Sequence, residues 1–214
     1  MKGLFIAVLS MFAIVANGKT DSTSVRVLHH ETYEQGSYSA SLSFGLVDNY
    51  RLNYDMPSGF EKNNVTGYPP LYAKIEYGVG RHFSLAASFG YDGVQYNFFQ
   101  LYKGYNNEII KRYKTNDLNL YSYGLIGYYH FNHLVHSKRF DPFLGLGFSI
   151  NSLRYSAYPQ GDSTFIKTDH FASPYLKVGA KYYVTDHIGL FGDIGYDKEC
   201  ILSLGVTARF FKKG

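Results

Sequence analysis

Charged side chains recur at alternate positions in several segments of this chain, and their types admit two kinds of chemistry. Lys74, Glu76, Asp92, Asp141, Lys177, Lys181, Asp193 and Arg209 each fall in a stretch that alternates apolar and polar residues. The cations and anions among them balance, and buried charges are tolerated only when paired. Such a set forms either a structural network or, where its pairs can open, a gated path for ions. His130, His133 and His136 are spaced three apart, so one helical turn could bring two imidazoles to a metal. No adjacent Cys or carboxylate completes a site, and neither a metal nor a cofactor is expected. Cys200 is the only cysteine, which leaves no intramolecular disulfide. It reads as an ordinary small residue at a strand end, or as one half of an intermolecular disulfide.

The elements that must position these residues are β-strands. Tyr38, Ala40, Leu42, Phe44 and Leu46 fall on one side of the first stretch, with Ser37, Ser39, Ser41, Ser43 and Gly45 on the other, as successive side chains of a strand do. Eight such stretches follow one another: 37–47, then those centred on Ile75, Ala87, Leu125, Leu146, Val178, Leu190 and Val206. In each, the apolar side holds no Asp, Glu, Lys or Arg, and the charges named above lie opposite. That pattern describes a closed sheet, apolar outside and polar within. Its lumen is just wide enough to be filled by side chains, and inward glycines such as Gly145, Gly147 and Gly205 beside charges suit a packed interior better than an open pore.

The fourth stretch is the least regular. Tyr121, Tyr123, Leu125, Tyr129 and Phe131 define one face, but Leu118, Leu120 and Ile126 sit on the other; a reversed phase or a bulge would each account for this. The connections sort into long polar loops at 48–69, 93–117 and 151–170 and short turns between them. Long loops on one rim and short turns on the other are the habit of outer-membrane barrels, with the turns in the periplasm.

Composition fits this arrangement. The mean hydropathy of −0.20 excludes a bundle of membrane helices but not a membrane barrel, whose alternation averages out. Tyr (22), Phe (17) and Gly (22) are abundant. The formal net charge of +4 is small and dispersed, so nucleic acid is not expected as a partner. Lys2 followed by the apolar run Leu4 to Ala16 reads as a secretory signal peptide over 1–18, too short to span a bilayer. Residues 19–36 then form an N-terminal periplasmic tail, and 37–211 the barrel domain.

The run Phe140-Asp141-Pro142-Phe143-Leu144-Gly145-Leu146-Gly147-Phe148 resembles the fifth strand of small OmpA/OmpX-type outer-membrane barrels. Residues 179–196 are similar to their sixth and seventh strands, with Asp193 at the place of an acidic residue that points into the lumen. Leu204, Val206, Ala208 and Phe210 resemble the C-terminal signal read by the barrel assembly machinery, although Phe211-Lys212-Lys213-Gly214 extends beyond the aromatic. The resemblance implies an all-β, eight-stranded antiparallel up-and-down transmembrane β-barrel in the outer membrane of a Gram-negative cell. Its expected partners are outer-membrane lipid and lipopolysaccharide, the assembly machinery during biogenesis, and a host or environmental ligand at the extracellular loops; the barrel is expected to be a monomer. The expected role is envelope integrity or surface interaction. A narrow porin-like channel for small solutes is the alternative, and a lipid-modifying enzyme comes third. The deacylases of similar architecture use a His-x-Ser pair on a strand; His82-Phe83-Ser84 has that spacing but its histidine lies in the tight turn at 80–82, and no catalytic residues are expected.

Overall fold

A computed structural model of the chain describes residues 35–48, 61–103, 105–106, 108–135, 137, 139–159, 165–197 and 199–211. The expected signal peptide and all but the last two residues of the expected tail lie outside these. Eight antiparallel strands close in chain order: β1 (Tyr38–Gly45), β2 (Glu61–Gly78), β3 (Phe83–Lys103), β4 (Ile109–His130), β5 (Phe140–Pro159), β6 (Phe165–Tyr183), β7 (Ile188–Tyr196) and β8 (Leu202–Phe210), with β8 paired back to β1. The inside-out alternation is realised throughout the ring. On β2, Ile75 is 66% exposed while its neighbour Glu76 is 6% exposed. Tyr38 packs against Tyr77 (ring centroids 4.8 Å apart) and Phe83 against Tyr129 (4.9 Å), forming an aromatic girdle beside the short turns. Tyr91 and Tyr121 (5.2 Å) belong to the opposite girdle, as rings with a polar tip do at a membrane interface.

The fourth strand needs neither a reversed phase nor a bulge. Its register with β3 and β5 is unbroken, and Leu118, Leu120 and Ile126 point inward and are buried. Ile126 packs with Ala86, Tyr128, Phe143 and Tyr175 as an apolar plug in the lumen. The irregularities lie in β2, whose register with β3 shifts between Lys62 and Asn64 and again between Tyr68 and Leu71, the latter across Pro69 and Pro70, which cannot donate to the ladder. The shift at Pro69–Pro70 reverses the phase of β2 over Asn64 to Tyr68. Val65 pairs with inward Tyr96, and Tyr68 pairs with Gly93 on the outer side.

The three long loops are corrected by the structure. Residues 61–69 belong to β2, most of 93–117 to β3 and β4, and most of 151–170 to β5 and β6. β1, β7 and β8 have 8, 9 and 9 residues, close to what a tilted strand needs to cross a membrane, whereas β3, β4, β5 and β6 have 21, 22, 20 and 19. The surplus of about 10 residues per strand raises the sheet roughly 25 Å beyond the apolar band. In this protruding part the face preferences invert. Val94, Tyr96, Phe98 and Leu118 are buried on the inner face as one cluster, with Val65, Leu153 and Tyr155 packed against it. Gln95 and Asp117 stand on the outer face. Polar composition suggested loops because the wall has left the lipid and follows the inside-apolar rule of a soluble protein.

Candidate functional site: the lumen network and the protruding sheet

Two charge clusters fill the barrel. In the one nearer the short turns, Lys181 of β6 meets Glu76 of β2 at 2.7 Å. His130 of β4 lies between Glu76 (Nε2 to Oε1, 3.1 Å) and Asp141 of β5 (Nδ1 to Oδ2, 3.0 Å). Ser84 Oγ donates to Glu76 Oε1 at 2.9 Å and lies 3.0 Å from His130 Nε2. Ser84, His130 and Asp141 thus meet in the order of a hydrolase triad. The serine hydroxyl, however, is shared with the Glu76 carboxylate as well as the imidazole, and every member is buried. A nucleophile needs its base and an approach for substrate; this constellation supports a structural cross-link between strands.

In the other cluster Asp193 of β7 is shared by Lys74 of β2 (3.5 Å) and Lys177 of β6 (3.2 Å), and Ser203 donates to it. Lys177 also reaches Asp197 at 2.5 Å. Lys74 contacts the hydroxyl of Tyr128 at 3.4 Å, which lies 3.2 Å from that of Tyr175. The remaining space here is a cavity of about 20 Å³ lined by Lys74, Lys177, Asp193 and neighbouring serines, room for a water molecule rather than a solute path.

The connection between β7 and β8 folds into the barrel mouth over this cluster. Asp197 Oδ1 accepts the backbone N–H groups of Glu199 (2.8 Å) and Cys200 (2.7 Å), a local side-chain turn that curls the tip back on itself. Glu199 takes a hydrogen bond from Ser122 at 2.5 Å. Burial pushes the Glu199 carboxyl up to about 7, against the Ser122 hydrogen bond and with help from the Asp197 charge. Cys200 is free and fully buried, with Tyr72 Oη 3.1 Å from its Sγ. Burial first, and the Asp197 charge next, push its thiol up to about 12.

Of the residues singled out from sequence, Lys74, Glu76, Lys177, Lys181 and Asp193 are joined across the lumen, with Asp141. Arg209 is set apart. It is buried near the short turns, its Nε donating to the Asp186 carbonyl at 2.6 Å and its guanidinium 3.8 Å from the Tyr183 ring centroid. Asp92 is buried higher in the lumen, opposite Leu120 in register. Leu204 and Val206 of the expected assembly signal face outward; Ala208, paired with Ala40 and Ile188, is buried, and Phe210 is half-buried. Sequence reasoning missed His130, Tyr72, Tyr128, Asp197 and Glu199. For His130 the signal was present, since it shares the inward phase of Ile126 and Tyr128. The histidine triplet does not assemble: His130 is in the lumen, His133 packs beside His82 (ring centroids 4.7 Å) and His136 lies outside the described residues.

A closed eight-stranded ring with an apolar outer band, aromatic girdles and a charge-paired interior is an outer-membrane β-barrel. No protein-family model matches the chain, and no curated protein matches it. Among solved structures, the chain is similar to Ail, the attachment invasion locus protein of Yersinia pestis, at 13% identity and a TM-score of 0.44, over 83% of this chain and 100% of that one. It is similar to the N-terminal β-barrel domain of Pseudomonas aeruginosa OprF at 17% identity and a TM-score of 0.41, over 82% of this chain and 98% of that one. A de novo designed transmembrane β-barrel matches at 14% identity and a TM-score of 0.44, over 83% of this chain and 98% of that one.

Proposed function

We propose that this protein is a monomeric, non-conducting outer-membrane anchor that holds a stiff extracellular sheet as an interaction surface. The single observation that carries the reading is the disparity in strand length: β3 to β6 run about twice as long as β1, β7 and β8. The extra length is built as continuous, core-packed sheet, which spanning a bilayer does not require. Among the described residues, β1 pairs with β2 only up to Leu71 and β7 with β6 only up to Leu176. The upper parts of β2 and β6 therefore carry ladder groups unmatched by a neighbouring described strand, and such edges are read by partner chains. The paired lumen and the inward-folded β7–β8 tip support a closed barrel over the channel alternative. Insertion follows the C-terminal signal at Leu204, Val206, Ala208 and Phe210.

Planar-bilayer recording and whole-cell labelling test the two halves of this reading. A cysteine introduced as Tyr105→Cys, at the fully exposed tip between β3 and β4, is expected to react with a membrane-impermeant maleimide on intact cells. The wild-type barrel is expected to show no defined current steps. Labelling only after the outer membrane is breached, or regular steps abolished by Asp193→Asn, would overturn the reading.

A further inference from the structure

The outer wall carries a hollow of about 530 Å³ immediately above the Tyr91/Tyr121 girdle, where β2, β3 and β4 leave the membrane. It is an open depression on the wall, able to cover one side of a ligand rather than to enclose it. Its origin is local. Gly93 occupies an outward position and contributes no side chain, and the bulge at Pro69–Pro70 turns Tyr68 outward opposite it. Gly67 allows that bulge, with φ +145° and a Cβ that would lie 2.2 Å from the Gly93 carbonyl. The Tyr91 ring reclines over Gly93, where an added Cβ would meet its hydroxyl at 2.7 Å, and that hydroxyl donates to Asn119 Oδ1 at 3.0 Å. Gln95 Nε2 donates to Asp117 Oδ1 at 2.8 Å, and Thr66 Oγ1 donates to Gln95 Oε1 at 3.4 Å.

We propose that this hollow is a binding site for a neutral saccharide unit. Tyr68, 54% exposed, and Tyr91 offer apolar ring faces to the C–H side of a sugar, each with a polar tip for its hydroxyls. Asp117 and Gln95 are held by their hydrogen bond to each other, and Asn119 by the one it accepts from Tyr91, so that the three present acceptors and donors side by side. A carboxylate offers about four lone-pair sites, of which the Gln95 amide takes one, so Asp117 can accept from adjacent sugar hydroxyls. Asp117 is also the one formal charge among the lining residues; it repels phosphate and sulfate and selects against anionic sugars. A purely lipid-filling role would not call for a carboxylate and two carboxamides on the outer face of the wall. The site deepens the surface-interaction reading and rests on its outward orientation of the protruding sheet.

The test uses the full barrel in a zwitterionic detergent, because maltoside detergents carry the very group under study. Saturation-transfer NMR with glucose, galactose, N-acetylglucosamine, maltose and lactose is expected to show saturable transfer for at least one of them. Glucose 6-phosphate and a sulfated disaccharide are expected to bind more weakly. Asp117→Asn is expected to weaken the best ligand about tenfold, since a charged hydrogen bond becomes a neutral one. Tyr68→Ala is expected to weaken it several-fold while the heat-dependent gel shift of the folded barrel is retained. Vesicles with full-length and with core-truncated lipopolysaccharide distinguish the source: competition by the full-length form alone assigns the site to sugars of the same membrane, and its absence to glycans from outside. No saturable neutral sugar, equal binding in the Tyr68→Ala/Asp117→Asn double variant, or preference for the anionic sugars overturns the proposal. The cell-labelling result at position 105 stands apart from these outcomes, so a failed site and a failed orientation are told apart.

Discussion

Replacing Lys181 with methionine tests whether the lumen clusters hold the barrel shut. Lys181 and Glu76 are 2.7 Å apart with side chains only 6% and 8% exposed. Removing one partner of a buried pair typically costs about 3–5 kcal/mol, because the other charge is left without its counter-ion. Glu76 keeps Ser84 and His130, so the lower end, about 3 kcal/mol, is expected for Lys181→Met. In the double variant Glu76→Gln/Lys181→Met no buried carboxylate is left without its cation, and the loss relative to wild type is expected to fall to about 1 kcal/mol, since buried pairs are often replaceable at small cost. Urea titration in lipid vesicles, with the folded fraction read from the heat-modifiable gel band, measures both. With a slope of about 2 kcal/mol/M, the single variant shifts the midpoint down by about 1.5 M. A shift under about 0.5 M for Lys181→Met, or a double variant no more stable than the single, would refute the view that this pair cross-links β2 and β6.

Glu199 makes stability depend on pH. Its carboxyl is raised from 4.5 to about 7 in the folded barrel, where it faces Ser122, Tyr72, Asp197 and Lys177, so the folded state binds the extra proton. That contribution is complete below about pH 4.5 and is lost as pH rises through 7, about 3 kcal/mol in all; Glu199→Gln is expected to remove this part of the slope, and an unchanged profile would count against it. Phe98 is fully buried in the protruding sheet and stacks on Tyr96 at 6.1 Å; Phe98→Ala costs about 3–5 kcal/mol there. Trypsin is expected to cut the variant at Lys103 and Lys111 on intact cells while the gel shift of the membrane barrel persists. Cys200, fully buried with its thiol pushed up to about 12, is expected to resist maleimide in the folded protein at pH 8 and to react within minutes in denaturant. Reaction at equal rates would show that the β7–β8 tip does not stay folded in.

The membrane half of the fold was legible in the sequence because lipid makes an unmixed demand: one apolar face without charge, repeated on eight strands. The charges that answer it on the inner face could be placed by phase alone. Their partners could not, since Lys181 and Glu76 are 105 residues apart in sequence and meet only when the ring closes. His130 was obscured by its neighbours in sequence, His133 and His136, which suggested a turn cluster. The Asp197 turn carries no periodic signal; its two backbone hydrogen bonds are visible only once the tip has folded.

The protruding sheet escaped the same reasoning for a reason that bears on function. Alternation continues without a break from Phe83 to Lys103 on β3, but the solvent changes along it, so Tyr91 is an outward membrane residue while Val94 is an inward core residue three positions on. The changeover at Asp92 and Gly93 on β3, and at Asn119 and Leu120 on β4, marks the height at which the wall leaves the lipid. On β2 the Pro69–Pro70 bulge lies at that same height and resets the phase, so that Val65 joins the upper core and Tyr68 the outer face. Without the bulge, β2 would present Val65 to water and turn Tyr68 into the core. The sheet above the membrane thus keeps an ordered hydrophobic interior and a fixed height over the bilayer. The tyrosine and carboxylate hollow sits on the changeover line because that is where one wall can offer an aromatic face from the membrane side and hydrogen-bonding groups from the water side.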